Sequence, residues 1–368
     1  MEATSSDLTS HAKVSFSRLL GHLCLLFHPH SRGTLSEECD TFEHATNPPA
    51  LMGPGSLPPD VDLSSFNDPS TSTKKLVDSV LRLRPSLPVS CGLFRHNDLN
   101  ITGQHPLDAG GSAKIWLCEE NDGKKAVIKS YRYYSSSSRL PAFLRFYQEA
   151  LYCSYLNSID DRSFAPFLGI YSSEEHPFAL VFETMEHRNL GEYLRNNKEV
   201  RRIDSLLQVA RGIEVMHRHG IAHGNIKIAN ILVSGAGCVR IGSLGTACAQ
   251  STAPRVDVDR WFPGAAPEIT DPQRWGTSEA GASKSSDLFA FGVLAWEAFT
   301  GRAPFYDEGV VACVHSMSND RRPAKPTHPE VSDGVWKLIR GCWKADPAKR
   351  KTIDEVVAVL EVESSASQ

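Results

Sequence analysis

The sequence predicts an α+β fold in which a small β-rich half precedes a larger, mostly helical half. Short runs of β-branched and aromatic residues follow one another between residues 114 and 183, interrupted by one helical pattern. After residue 190, apolar residues recur mainly at helical spacing. The chain has 368 residues, 41% of them hydrophobic, which suits one large two-part domain with an appendage.

The predicted elements follow in chain order. The β-like runs are Lys114–Glu119, Ala126–Tyr131, Phe167–Tyr171 and Ala179–Glu183, and the helix among them is Pro141–Leu156. The helices of the second half are Gly191–Asn197, Ile203–His219, Ser285–Thr300, Val331–Trp343 and Ile353–Val362.

Residues 1–72 are predicted to form a low-complexity, disordered extension. From residue 28 onward this segment is rich in Pro, Ser, Thr, Gly and Asp, and cannot bury enough apolar surface to offset chain entropy. Apolar residues at 14–27 recur at helical spacing and predict a short amphipathic helix, with a partly ordered tail as the alternative. Residues 73–97 are predicted to be a helix and a linker leading into the domain.

Charge and composition exclude several functions. A net charge of −4 gives no sign of nucleic-acid binding or of a polybasic membrane surface. The first residues do not resemble a signal peptide, and the apolar stretch at 14–27 is shorter than a membrane span. The nine cysteines are odd in number and lack metal-site spacing. We therefore expect an intracellular, most simply cytoplasmic, protein with reduced core thiols.

Several motifs occur in a fixed order along the chain. The first half carries Ala126-Val127-Ile128-Lys129 and, twenty residues on, Gln148-Glu149-Ala150. The second half carries His223-Gly224-Asn225-Ile226-Lys227-Ile228-Ala229-Asn230, Ser243-Leu244-Gly245, Ala266-Pro267-Glu268, Ser286-Asp287 with Phe291-Gly292, and Cys342-Trp343 followed by Arg350.

Together these motifs resemble the eukaryotic protein kinase domain, and the surroundings of Trp296 and Cys342-Trp343 resemble its tyrosine-kinase-like branch. The resemblance covers about the last three quarters of the chain. It implies a bilobal kinase domain at 98–363, with a β-rich N-lobe with one key helix at about 98–185 and a large helical C-lobe at about 186–363.

The resemblance also implies roles for individual residues. Lys129 would contact nucleotide phosphates and pair with Glu149, while Glu183 and Met185 would offer hinge backbone to an adenine behind the gatekeeper Phe182. In the C-lobe, the implied catalytic-loop residues are His223, Lys227 and the metal ligand Asn230, with Asp287 bracing the loop and Glu268 pairing with Arg350.

The cleft departs from the kinase pattern at several positions. Asn225 stands where the family has its catalytic aspartate, and an amide is a far weaker base than a carboxylate. Ser243 stands where the family has a magnesium-binding aspartate, and Mg²⁺ prefers anionic oxygen. The phosphate-covering loop retains Gly110 but has Asp108 and Ala113 at its other glycine positions, and Val127 replaces the alanine over adenine.

The sequence therefore predicts a pseudokinase that acts as a signalling, scaffolding or regulatory module with unidentified signalling proteins as partners. We expect weak ATP binding and no Mg²⁺ binding. One alternative is an active Ser/Thr or Tyr kinase with an atypical site, because Lys129 and Glu149 are retained. Another is a small-molecule phosphotransferase of kinase-like fold, although the Ala266-Pro267-Glu268 motif belongs to protein kinases.

Overall fold

The computed structural model describes residues 64–82, 91–95, 97–109, 112–249, 262–276, 281–327 and 330–366. The predicted helix at 14–27 and the retained glycine Gly110 lie outside the described residues.

The strands are β1 (Gly92–Phe94), β2 (Leu99–Ile101), β3 (Asp108–Ala109), β4 (Ala113–Glu120), β5 (Lys125–Tyr131), β6 (Phe167–Tyr171), β7 (Ala179–Glu183), β8 (Ile221–Ala222), β9 (Ile231–Val233), β10 (Val239–Ile241) and β11 (Cys248–Ala249). The α-helices are α1 (Ser64–Asn67), α2 (Thr73–Leu81), α3 (Ser136–Ile159), α4 (Leu190–Asn196), α5 (Arg202–Arg218), α6 (Pro267–Thr270), α7 (Lys284–Thr300), α8 (Val310–Ser318), α9 (Asp333–Cys342) and α10 (Ile353–Ser365).

The N-terminal lobe is built on one sheet of seven described strands. Its order is β1-β6-β7-β5-β4-β2, with β3 pairing beside β2 on β4. The β1–β6 pair is parallel and the others are antiparallel. β5 lies at the centre of the sheet, where Lys129 faces Ile115 of β4 and Leu180 of β7. The central position fixes the lysine between two strands.

The long helix of this lobe, α3, begins earlier than the sequence predicts. The expected start was Pro141, but the helix extends back to Ser136. Ser135 is its N-cap, and Ser135 and Ser138 form a capping box that satisfies backbone N–H groups of the first turn. Pro141 is the sixth residue of this helix, and its missing N–H removes one intrahelical hydrogen bond, to the Ser137 carbonyl. The extra turn reaches toward the N-terminal segment.

Part of the predicted disordered extension is instead packed on the domain. Ser64–Asn67 forms helix α1, and the Phe66 side chain is fully buried. Its ring lies 4.4 Å from the ring of Phe143 in α3. The prediction of a structureless linker up to residue 72 is therefore wrong for this segment. The composition did not predict this packed helix, because a single aromatic residue gives no periodic pattern.

The C-terminal lobe is mostly helical, as predicted. Helix α7 is buried along nearly its whole length, because most of its residues are apolar and the other helices surround it. Two short antiparallel pairs, β9–β10 and β8–β11, lie at the face toward the N-lobe. These pairs hold the segment from residue 221 to 249, which contains the catalytic-loop and Ser243 motifs.

Six of the seven described cysteines are buried free thiols, which confirms the prediction of core cysteines for that part of the chain. Burial raises the pKa of the Cys118 and Cys342 thiols to about 12, so they remain protonated. No helix among the described residues is long and apolar enough to cross a membrane.

Candidate functional site

The cleft between the lobes contains a buried ion pair from the sheet and α3. Lys129 Nζ lies 2.7 Å from both carboxylate oxygens of Glu149. The Glu149 side chain is 1% exposed and the Lys129 side chain 13%. The Tyr131 hydroxyl donates a further hydrogen bond to Glu149 Oε2. Two donors therefore compensate the buried carboxylate, which is the condition for a stable buried charge.

Tyr131 was not among the residues selected from the sequence. It follows Lys129 by two positions on β5, so strand periodicity places the two side chains on the same face. Burial, followed by the charge of Glu149, raises the pKa of the Tyr131 hydroxyl well above its usual value. The tyrosine therefore stays protonated and remains a donor to Glu149 at all physiological pH values.

The segment after Ser243 packs directly against α3. Gln148 Nε2 donates a hydrogen bond to the Ala247 carbonyl. A Cβ at Gly245 would lie 2.9 Å from Glu149 Oε2 and 3.3 Å from the Tyr131 hydroxyl, so glycine allows this approach. These contacts hold α3, the ion pair and the start of the activation segment in one packed unit.

Ser243 occupies the position of the family's metal-binding aspartate. Its backbone is left-handed, with φ 63° and ψ 57°. Its hydroxyl lies 3.5 Å from Lys129 Nζ, at the limit of a hydrogen bond. The side chain thus points into the cleft, where it offers a neutral oxygen beside the lysine.

The catalytic loop is braced by a buried carboxylate from α7. Asp287 accepts hydrogen bonds from the backbone N–H groups of His223, at 2.8 Å, and Gly224, at 2.9 Å. His217 Nε2 lies 3.0 Å from the Asp287 carboxylate, and Asp287 is 1% exposed. Gly224 has φ 78°, and a Cβ there would lie 2.9 Å from the Thr246 carbonyl oxygen. Glycine is required at this tight turn.

His223 is held as a neutral imidazole. Its Nδ1 accepts from the Asn225 N–H at 3.1 Å, while its Nε2 donates to the Gly242 carbonyl at 3.0 Å. Burial lowers the pKa of this imidazole, although the nearby Asp287 acts in the opposite direction. The histidine therefore supports the backbone and contributes no charge at neutral pH.

Asn225 and Asn230 are linked within the catalytic loop. Asn230 Nδ2 donates to the Asn225 carbonyl oxygen at 2.8 Å. The Asn225 side-chain oxygen Oδ1 is buried and has no hydrogen-bond partner among the described residues. Lys227 Nζ lies 5.9 Å above the ring of Phe262. At the position of the family's base, the loop therefore holds a neutral amide oxygen without a hydrogen-bond partner among the described residues.

The residues at the two metal positions do not fit a magnesium ion. Mg²⁺ prefers anionic oxygens in octahedral geometry. Asn230 offers a neutral amide oxygen, and Ser243 offers a neutral hydroxyl. Within the described ranges, no three His, Cys, Asp or Glu side chains are grouped to hold a metal ion. No chemical step through a metal follows from this donor set.

The adenine side of the cleft is built from β5, β7 and the hinge. Phe182 faces Val127 across the β5–β7 pair, and Val127 is half-buried. Glu183 forms an exposed ion pair of 3.3 Å with Lys124. The Met185 carbonyl accepts the Arg188 N–H at 2.9 Å, closing a turn at the end of the hinge. Two bulky apolar side chains thus line this side.

Asp108 and Ala113 lie at the phosphate-covering edge of the sheet. Asp108 is exposed on β3 and faces Ile115 of β4. Ala113 is buried at the start of β4 and faces Tyr131 of β5. A carboxylate at this edge places negative charge on the side from which a phosphate would approach.

Far from the cleft, Glu268 and Arg350 form a bidentate ion pair. Arg350 Nη1 and Nη2 lie 2.6 and 2.7 Å from the two carboxylate oxygens. The remaining guanidinium hydrogens go to backbone carbonyls, including that of Ser285 at 2.9 Å. The Arg350 and Glu268 side chains are 1% and 13% exposed. The geometry satisfies both charges and joins α6 to the loop before α10.

Sequence comparison agrees with this architecture. Residues 101–360 match the family described as protein tyrosine and serine/threonine kinase. That match covers most of the chain, and the protein therefore belongs to this kinase family.

The curated relatives are similar at modest identity. The chain is 29% identical to the serine/threonine-protein kinase PknA of Mycobacterium tuberculosis over 257 residues, covering 67% of this chain and 57% of that protein. It is 26% identical to the Arabidopsis thaliana serine/threonine-protein kinase STY17 over 228 residues, covering 59% of this chain and 37% of that protein. The Arabidopsis serine/threonine/tyrosine-protein kinase HT1 is 28% identical over 195 residues, covering 50% of this chain and 47% of that protein. The chain thus spans less than two thirds of the length of these relatives.

Proposed function

We propose that this protein is a pseudokinase of the tyrosine-kinase-like branch, a kinase-fold module that acts by binding other signalling proteins and not by phosphotransfer. One observation carries the proposal: the positions of the catalytic base and of the metal-binding aspartate hold the neutral side chains Asn225 and Ser243. General-base assistance contributes about 10²–10⁴-fold in rate. The contexts of Trp296 and Cys342-Trp343 support the branch.

The electrostatics of the cleft support weak ATP binding that does not depend on Mg²⁺. Lys129 remains as a cation for phosphate, paired with Glu149 at 2.7 Å as in active kinases, so weak binding must result from the other positions. Asp108 adds negative charge at the phosphate edge, and no carboxylate stands at the metal position. Phosphate charge would be poorly compensated there, which is costly in a partly closed cleft.

An active kinase with an atypical site is the second candidate. The formed Lys129–Glu149 pair favours it, because active kinases require this pair. The names of the relatives, all protein kinases, point the same way.

A phosphotransfer assay with γ-labelled ATP distinguishes the two candidates. Typical kinases turn over at about 1–100 s⁻¹. For the full chain we expect incorporation into generic protein substrates, or into itself, no greater than for the Lys129→Ala variant. Incorporation near the typical rate that disappears in Lys129→Ala would establish the active kinase and reject the pseudokinase.

A further inference from the structure

Helix α3 is enclosed on all sides, which is unusual for a helix at the edge of a small lobe. Nine consecutive residues, Phe146–Ser154, are buried. A surface helix normally buries a single stripe and leaves the opposite face in water. The sheet and the segment after Ser243 cover the face that carries Glu149. Another part of the chain packs on the N-terminal part of the helix, around Phe143.

The N-terminal end of α3 is covered by residues 64–82, which we call the α1–α2 segment. Phe66 packs its ring against Phe143 of α3, at 4.4 Å, and against Phe178 before β7, at 5.9 Å. Leu76 and Val80, one turn apart on α2, are also fully buried in the same cluster. Three apolar anchors at 0% exposure show a dry, closely packed contact.

Polar contacts fix the register of this segment on α3. Arg139, in the first turn of α3, donates from Nη1 to the carbonyls of Asp68 and Thr71, each at 3.2 Å. Its guanidinium also lies 5.7 Å from the ring centre of Tyr133. The arginine therefore ties the turn between α1 and α2 to the N-terminal end of α3.

The α1–α2 segment lies outside the family match, which begins at residue 101. It is therefore an addition of this chain to the kinase domain and not a part of the shared domain. We propose that the N-terminal end of α3, together with Phe178, is a docking surface for a helical segment with a phenylalanine anchor. Residues 64–82 occupy this surface in cis and hold α3 where Glu149 meets Lys129.

This docking has a mechanical consequence for the cleft. Glu149 reaches Lys129 and Tyr131 only while α3 stays against the sheet. With the α1–α2 segment in place, α3 is held at its N-terminal end as well as by the sheet. A partner helix that used the same surface would first have to displace Phe66. The inference holds whether or not the cleft transfers phosphate.

Hydrogen exchange of the full chain tests the proposal. We expect Phe66→Ala to speed amide exchange of α3 by at least about tenfold and to leave α7 unchanged, because only the local cover is lost. Phe94→Ala is the matched control, since Phe94 packs on the separate cluster on the other side of the sheet. Unchanged α3 exchange in Phe66→Ala, or an equal rise in α7, would overturn the proposal.

Two further measurements separate docking from ordinary core packing. Arg139→Gln removes the two carbonyl contacts without opening a cavity, and should speed α3 exchange in the same direction even if Phe66→Ala does not fold. A synthetic peptide with the sequence of residues 64–82 should slow α3 exchange again when added to Phe66→Ala. The same peptide with alanine at position 66 should not. Equal effects of the two peptides would refute a phenylalanine-specific docking surface.

Discussion

The Asp287 and Glu268–Arg350 contacts of the C-lobe framework differ from the catalytic-base position of the cleft in how their polar groups are satisfied. In the framework, Asp287 accepts hydrogen bonds from two backbone N–H groups and contacts His217. Arg350 donates hydrogen bonds to both carboxylate oxygens of Glu268. In the cleft, the Asn225 Oδ1 atom is buried without a partner among the described residues.

The contrast shows that the kinase fold and kinase chemistry depend on different groups. A buried framework charge cannot be neutralised without leaving its partner uncompensated. An aspartate that serves only as a base or a metal ligand can be replaced by asparagine or serine while the loop keeps its hydrogen bonds, as the Asn225 N–H bond to His223 shows. Substitutions in the framework should therefore lower stability, and substitutions in the cleft should change ligand binding.

The Glu268–Arg350 pair should be the most sensitive framework contact. Glu268→Ala leaves a buried guanidinium without its carboxylate, and we expect a loss of about 3–5 kcal/mol in the free energy of unfolding. Urea unfolding followed by circular dichroism measures it.

The exposed Glu361–Arg211 pair is the matched control. Its side chains are 50% and 55% exposed and 3.2 Å apart, so Glu361→Ala should cost no more than about 1 kcal/mol. A double-mutant cycle at positions 268 and 350 should show strong coupling. Additive effects would contradict the assigned pair.

Asp287→Asn should have the next largest effect. An amide has a single acceptor oxygen, so one of the two N–H groups now bonded to Asp287 would lose its partner. We expect the free energy of unfolding to fall by about 2–3 kcal/mol, because hydrogen bonds to charged groups are stronger than neutral ones. Asp354→Asn, at an exposed position of α10, should change it by less than about 0.5 kcal/mol. Equal losses in the two variants would mean that Asp287 is not a brace.

Glu297 should make the free energy of unfolding depend on pH. Burial raises the pKa of this carboxyl on α7 to about 7 from the model-peptide value 4.5, although Arg195 acts in the opposite direction. Between these values the folded state binds more protons than the unfolded state, so stability falls as pH rises through this window. The full pKa shift corresponds to about 3 kcal/mol in the free energy of unfolding. Because Glu297 is partly exposed, we expect a change of about 1–2 kcal/mol.

Urea unfolding at pH 5 and pH 8 measures this difference. Glu297→Gln cannot ionise, and the decrease between the two pH values should be smaller in this variant than in the unsubstituted chain. An identical decrease in both proteins would assign the pH dependence to other groups.

The sequence predicted contacts that linear motifs encode, and it missed those that depend on tertiary packing. Lys129, Glu149, Glu268 and Arg350 were selected because each belongs to a motif of fixed spacing. The His217–Asp287 contact joins residues 70 positions apart, and no sequence motif around His217 predicts it. Phe66 lies among polar residues, so its burial depends on an aromatic surface formed by α3. The start of α3 was missed because capping serines also resemble a loop.

The smallest expected effect is that of nucleotide on the cleft. A ligand at about 100 times its dissociation constant stabilises a fold by about 2.7 kcal/mol, which a melting curve resolves. With millimolar ATP we expect little or no shift in Tm for the unsubstituted chain, and the same result with magnesium or with chelator. Ser243→Asp should add a magnesium-dependent shift, because it restores an anionic oxygen beside Asn230.

The backbone at this position allows that substitution. Ser243 already has φ 63°, and aspartate tolerates the left-handed region better than most residues. Ser243→Asn is the matched control, since it has the same shape and the same backbone tolerance but no charge, and it should add no magnesium-dependent shift. A shift of several degrees in the unsubstituted chain that requires magnesium would show that Asn230 and the Ser243 hydroxyl suffice for a metal site. The conclusion that the chain retains the kinase framework but has lost the metal site of the cleft would then be wrong.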